Sequence, residues 1–272
     1  MVVACENFVR RHPDHPGSIA LLLTSDEEGA AVHGTRYVIE QLGKKNTCID
    51  YCLVGEPSCV QVLGDTIKYG RRGSLTGRLS VSGKQGHVAY PDKADNPIHA
   101  FARALNDLCL KHWDHDDKEN FPPASLQFVD VHAGIGRDNV IPGRLEAVFN
   151  VRYPPSLNDG DIRYEIEQIL NRRQVPYELQ WHLSGRPFLS KKEKLCKTLA
   201  DAIKQHTDQA PSFSTSGGTS DGRFIAPTGA ELAEFGPVNA SIHQINEHVC
   251  IADLQTLTDV YTTVIEKCLG EN

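Results

Sequence analysis

No stretch of this 272-residue chain approaches the ~20 consecutive apolar residues of a membrane-spanning helix, so a helical membrane span is excluded. Basic residues are not in excess. The 28 Lys and Arg against 35 Asp and Glu give a formal net charge of −7, without the basic face that non-specific nucleic-acid binding requires. The glycine-rich segment Ser216–Arg223 lacks the closing Gly-Lys-Ser/Thr of a P-loop, which argues against nucleotide binding. No C-x-x-C pair occurs. Cys5, Cys48, Cys52, Cys59, Cys109, Cys196, Cys250 and Cys268 are scattered, and read as free thiols of a reducing, cytoplasmic compartment rather than a disulfide framework. Long charged blocks are missing too, which excludes extensive disorder. What remains, 40% hydrophobic and 23% charged residues, is globular, with length for one large or two medium domains.

Periodicity divides the chain. Met1 to Arg11 reads as a helix with Val2, Val3, Phe8 and Val9 apolar. After a polar turn, Ser18 to Thr24 (SIALLLT) is a continuous apolar run, the pattern of a strand buried on both faces. A helical stretch from Gly34 to Leu42 and a second apolar strand, Tyr51 to Val54, complete a strand–helix–strand unit, which predicts a parallel pair. No first strand precedes the opening helix, so the chain enters an α/β domain in mid-course.

The style changes at Arg71-Arg72-Gly73. Leu75, Gly77, Leu79 and Val81 alternate as a half-exposed strand, and Asn96-Pro97 supplies an N-cap and first position for a helix with Ile98, Phe101, Leu105 and Leu108 on one face. Strands at Ser125–His132, Leu145–Val151 and Tyr177–Leu183, and a helical stripe at Ile162, Ile166, Ile169 and Leu170, complete a β-α-β-β-α-β order. That is the ferredoxin-like split motif. From Pro187 the α/β style resumes, with a helix through Leu195, Leu199 and Ile203, a short strand at Ala230–Glu234 and a closing helix from Leu254 to Cys268. The expectation is an α/β domain, residues 1–73 and 186–272, interrupted by an inserted α+β domain, residues 74–185.

Candidate chemistry clusters in turns. Asp26-Glu27-Glu28-Gly29 follows an apolar strand, where α/β folds place ligands, and adjacent glutamates project differently, so one can bind a metal while the other acts as a base. Glu56 ends the next strand. A cation between strand-end carboxylates, completed by histidine, suits zinc, manganese or cobalt. His243 lies in the Gly/Pro/Asn-rich run Gly236–Glu247. His87, flanked by glycines in Ser82–Pro91, is placed to donate to a developing oxyanion. Ser216–Arg223 offers backbone N–H groups to an anion. Arg71, Arg72 and Arg152 offer guanidinium forks to carboxylates.

Together TSDEEG, VGEPS, GRRGSLTG, QGHVAYP, DNVIP, SGGTSDGRF and NASIHQINE resemble the co-catalytic zinc aminoacylase/carboxypeptidase family over essentially the whole chain. The resemblance implies a zinc-binding catalytic α/β domain with an inserted lid that forms a homodimer. It implies two zinc (or cobalt) ions per full-length subunit and no membrane or nucleic-acid partner. Glu27 matches the general base. Glu28 and Glu56 match ligands, one on each metal, and His243 matches the histidine ligand of the second. His87 matches a lid residue that reaches the partner's active site and stabilises the tetrahedral intermediate. Arg71, Tyr90, Asn139, Arg152, Gly218 and Thr219 match positions that hold the carboxylates and amide of a small substrate. The implied reaction is hydrolysis of N-succinyl-LL-diaminopimelate, in lysine and peptidoglycan synthesis of bacteria.

One departure is a loss. Family members carry an earlier His-x-Asp motif and a metal-bridging aspartate, both upstream of anything here. His12-Pro13-Asp14 sits in a polar turn and His112-Trp113-Asp114 ends a lid helix, so neither replaces it. The expectation is a catalytic domain incomplete at its N-terminus, with impaired zinc binding, little activity and exposed apolar surface beside Ser18–Thr24. A smaller departure is Arg137-Asp138, where the family has small polar residues. Two alternatives stand beside this reading: a non-catalytic fragment that only dimerises, and a related deacylase of another N-acyl amino acid.

Overall fold

A computed structural model describes residues 1–29, 31–113 and 119–270. It separates into two compact units, one built from Met1–Arg71 and the chain from Phe188 on, the other from Arg72–Pro187. In chain order the first unit begins with α1 (Val2–Arg11), α2 (Thr35–Lys44), β1 (Tyr51–Val54), β2 (Thr66–Lys68) and β3 (Gly70–Arg71). The second contributes β4 (Gly73–Ser82), β5 (Gly86–His87), α3 (Pro97–Cys109), β6 (Ser125–Ala133), β7 (Val140–Ile141), β8 (Arg144–Tyr153), α4 (Asp159–Arg172) and β9 (Tyr177–Gly185). The first then closes with β10 (Phe188–Leu189), α5 (Lys194–Thr207), β11 (Ser212–Ser214), α6 (Gly222–Ile225), β12 (Glu231–Glu234) and α7 (Ile251–Leu269).

The first unit is an α/β layer structure on a sheet ordered β1-β12-β2-β11. β12 runs parallel to β1 and touches β2 antiparallel through Glu234 and Lys68, while β11 runs parallel to β2. All four residues of β12 are buried, as expected of a central strand covered on both faces. On one face Ala233 and Phe235 join Leu199 and Ile203 of α5 and Val260 and Tyr261 of α7. On the other Leu232 packs with Phe188 and Ile225. Glu231 is buried beneath the start of α5, and its carboxylate accepts the backbone N–H groups of Glu193, Leu195 and Cys196 at 2.9–3.0 Å. Those are the donors that the helix cannot satisfy itself, and a negative charge suits that end of the dipole.

The run Ser18–Thr24 corrects the sequence reading. It forms no strand, and Leu23 is 81% exposed with Leu21 and Leu22 also outside the core. β1, the strand expected beside it, pairs with β12 instead. An apolar run becomes a buried strand only when a neighbour takes up its N–H and C=O groups, and among the described residues none does. The opening helix likewise buries only Ala4 and Phe8, leaving Val2, Val3 and Val9 exposed.

The second unit is one antiparallel sheet, β6-β8-β4-β9, with the strand order of a ferredoxin-like split motif. α3 and α4 cover its apolar face. Phe101, Ala104 and Leu108 of α3 and Ile162, Ile166 and Leu170 of α4 pack on Leu75, Leu79, Phe149 and Val151. Ile98, expected on the same stripe, is exposed. Asn96 caps α3 by accepting the Ile98 N–H at 3.0 Å, with Pro97 first in the helix. The ring of Phe149 lies directly over Gly77, where a Cβ would overlap it. Gly77→Ala is therefore expected to cost about 1–3 kcal/mol through overpacking, measured as a lower urea midpoint with an unchanged m-value.

Candidate metal and substrate site

Asp26 builds the turn that presents the paired glutamates. Its carboxylate accepts the N–H groups of Val32 and His33 at 2.7 and 3.0 Å, and its carbonyl accepts those of Gly29 and Ala31. These backbone donors, His33 first and Val32 next, hold the Asp26 carboxyl below the usual carboxylate range. A side chain at Gly29 would come within 2.7 Å of Asp26 Oδ1, so the turn closes only around glycine.

His243 arrives from the far end of the sequence. It stands at φ +57°, in the left-handed region, and its N–H donates to Glu247 Oε2 at 3.3 Å. Ser241 pins the same loop, its hydroxyl donating to the His248 carbonyl at 3.0 Å and accepting the His248 N–H at 3.1 Å. The result is a contact of 3.2 Å between His243 Nε2 and Glu28 Oε1, both exposed.

Glu56 follows β1. Its backbone lies so close to Gly236 that a Cβ there would collide with the Glu56 carbonyl, and Ser58 Oγ accepts the Gly236 N–H at 3.3 Å. Burial first, then the charges of Glu27 and Glu234, push the Glu56 carboxyl up, against the pull of Arg71. Glu27 is raised by burial, then by Asp221 and Glu28, and is opposed by Arg223 and His243. Glu27, Glu28, Glu56 and His243 therefore share one acidic neighbourhood.

Beneath it lies a buried network that sequence reasoning did not find. Glu234, fully buried, accepts from Arg71 Nε at 2.8 Å, from Arg71 Nη2 and from the Ser220 hydroxyl. Arg71 Nη1 donates to the Ser216 carbonyl at 3.1 Å. Lys68, also buried, donates to Ser214 and Ser216 Oγ at 3.1 and 2.9 Å, and burial, with Arg71 beside it, lowers its pKa. Arg71 thus ties the Gly-rich segment to β12 whatever else it binds. In that segment Gly217 adopts φ +101° against the Arg71 guanidinium, while Gly218 is exposed and Thr219 half-buried. Thr35 Oγ1 donates to Asp221 Oδ2 at 2.6 Å. The signal for Glu234 was its place at the end of a predicted strand, the rule already applied to Glu56.

In the second unit, β5 pairs with β7, His87 facing Val140. The Val88 N–H donates to the Asn139 carbonyl at 3.1 Å, and the His87 and Tyr90 rings lie 5.8 Å apart. His87, Tyr90 and Asn139 thus form one exposed cluster. The Ala89 N–H donates to His87 Nδ1 at 3.1 Å, so in the neutral ring the proton sits on Nε2, which points outward as a donor. Arg152 lies on β8, paired across the sheet with Ser74 and Ser125.

Two carboxylates and an imidazole are suitable donors for a borderline divalent cation, and Glu28 with His243 is at the spacing of a shared ligand pair. Among the described residues, however, no three donors converge on one metal position. His12 of the His12-Pro13-Asp14 turn faces Glu266 and Phe8 instead, and Asp114 lies outside the described residues. All eight cysteines are free, and no described helix is long and apolar enough to cross a membrane.

The sequence profile of peptidase family M20/M25/M40 matches residues 1–267. A succinyl-diaminopimelate desuccinylase of Halorhodospira halophila is 55% identical over 269 residues, covering 99% of this chain and 71% of that protein. One from Nitrosococcus oceani is 52% identical over 271 residues, covering 100% of this chain and 72% of the relative. Among solved structures, a dinuclear metal binding peptidase from Bacillus subtilis superposes with a TM-score of 0.66 at 14% identity, over 98% of this chain and 70% of its own, which speaks to the fold alone.

Proposed function

Because the chain belongs to peptidase family M20/M25/M40, we propose that it hydrolyses the amide bond of N-succinyl-LL-diaminopimelate, releasing succinate and LL-diaminopimelate. The observation that carries this reading is the contact of Glu28 with His243, 215 residues apart, beside a half-buried Glu27. Glu28 and His243 would hold one cation and Glu56 would contribute to a second, zinc or cobalt. Such an ion supplies a water of lowered pKa and a positive charge for the carbonyl oxygen.

The chain's own residues do the rest. Glu27 takes a proton from the attacking water and delivers it to the leaving amine. Its raised pKa makes it a stronger base than a free carboxylate. Only its ionised form accepts a proton, so the rate falls as pH drops through that raised value. His87, with Nε2–H outward, donates to the oxyanion. Tyr90 and Asn139, clustered with it, and Arg71, Arg152, Gly218 and Thr219 hold the substrate's amide and carboxylates. Homodimerisation runs through the second unit. Its edge strand β6 presents exposed Val129 and Val131, which supports that reading. The enzyme works in the cytoplasm.

The test is hydrolysis of N-succinyl-LL-diaminopimelate against N-acetylornithine, with zinc or cobalt added. With only one donor pair in contact among the described residues, the rate of the chain alone is expected to be low. The assay is therefore repeated with the stretch of the Halorhodospira halophila relative that this chain does not span. Preferential cleavage of the succinyl substrate is expected. Equal rates on both substrates would make the protein a broader N-acyl amino acid deacylase.

A further inference from the structure

Lys68, Ser214 and Ser216 have no task in the mechanism above, yet together they form the kind of contact that activates a serine. Lys68 lies on β2, and the two serines lie at and just beyond the end of β11, which runs parallel to it. Lys68 is 5% exposed, and its Nζ stands 2.9 Å from Ser216 Oγ and 3.1 Å from Ser214 Oγ. The two hydroxyls are 2.9 Å apart, and Ser214 Oγ also accepts the Ser216 N–H at 3.2 Å. Among the described residues Lys68 makes no ion pair. Burial first, then Arg71, lowers its pKa, against Glu234, Asp65 and Cys59, which favour the charge.

With the amine neutral, the three groups close a ring in which every hydroxyl proton is used. Lys68 donates to Ser214, Ser214 donates to Ser216, and Ser216 donates to the lone pair of Lys68. Ser214 thus orients the amine, and Ser216 faces it as the nucleophile. Ser216 is half-buried and leads into Gly217 and Gly218, both exposed, whose N–H groups make no hydrogen bond among the described residues. Backbone donors directly after a nucleophile suit the oxyanion that forms on its target carbonyl.

We propose that Ser216 and Lys68 form a serine–lysine dyad, a second and metal-independent nucleophilic site that cleaves small carboxylic esters. Ser216 Oγ bonds to the ester carbonyl carbon as its proton passes to Lys68 Nζ. The C–O bond to the alcohol breaks, and Lys68 returns the proton to the departing oxygen. Water then hydrolyses the acyl-serine by the same route, releasing the acid and restoring both groups. The dyad does not rest on the function proposed above and uses none of Glu27, Glu28, Glu56 and His243.

The test uses the purified chain in excess chelator. Turnover of p-nitrophenyl acetate is followed, and a fluorophosphonate, which bonds to activated serines with loss of fluoride, locates the nucleophile by mass spectrometry. The expected result is a single adduct, on Ser216, and ester turnover that the adduct abolishes. Lys68→Arg keeps a charge and hydrogen-bond donors but holds its proton, so both reactions should fall roughly 10²–10⁴-fold. Ser212, exposed on the same strand, is the control, and Ser212→Ala should change neither. Both rates should rise with pH and level off at lower pH than a free lysine requires, because only neutral Lys68 accepts the proton. In urea the parent chain should lose the reaction, which separates a built site from an exposed serine without any variant. The proposal is overturned by no adduct on Ser216, by adducts spread over several serines, or by equal labelling of folded and unfolded chain. Undiminished reaction in Lys68→Arg, or ester turnover that persists once Ser216 carries the adduct, overturns it as well.

Discussion

Glu234→Ala is expected to destabilise the first unit by about 3–5 kcal/mol, the usual cost of removing one partner from a buried ion pair. Arg71 and Glu234 are both buried, and Arg71 makes no other ion pair among the described residues. Losing Glu234 also strips an acceptor from the Ser220 hydroxyl, so the Gly-rich segment loses two of its ties to β12. Arg71→Ala should cost a comparable amount. The double variant Arg71→Ala, Glu234→Ala should cost less than the sum, because no charge is then left unpaired. Urea unfolding of the three variants measures this. A stability of about 5–15 kcal/mol is typical of a domain, so either single change removes a large share of it. Additive losses in the cycle would mean that the pair does not act as a unit.

Glu27→Gln carries the second large effect. The amide keeps the shape of the turn that Asp26 holds but takes no proton, so hydrolysis should fall roughly 10²–10⁴-fold. Bound metal should stay unchanged, since Glu28 and His243 remain. The pH profile separates this from damage to the fold. In the parent protein the acidic limb is expected to report Glu27, whose carboxyl is pushed up by burial and by the charges of Asp221 and Glu28. In the variant that limb should disappear. A variant with the parental limb would assign it to another group, with Glu56, also raised, as the next candidate.

These predictions draw on parts of the molecule that were unequally legible in the sequence. The second unit was read almost element by element. β4 and β8 alternate over one covered face, and Asn96-Pro97 is a local start signal that needs no distant partner. Ser18–Thr24 was misread for the opposite reason. Its apolar run resembles a central strand, but whether it becomes one depends on a neighbour that local pattern does not specify. The site divides in the same way. Glu56 announces itself as a strand-end carboxylate, Glu27 and Glu28 were singled out after a run that forms no strand, and only the resemblance linked the three to His243. The Arg71–Glu234 pair depends on β12 crossing β2 antiparallel at Glu234 and Lys68, while its other neighbour runs parallel. Nothing in the local sequence announces that register.

The most direct measurement is zinc per chain after equilibrium dialysis at a low free zinc concentration, repeated on Glu28→Gln, Glu56→Gln and His243→Ala. The donor geometry predicts at most one weakly held ion, released by a mild chelator and lost when Glu28 or His243 is replaced. Two tightly held ions, or a zinc content that none of the three substitutions changes, would contradict the metal site described here.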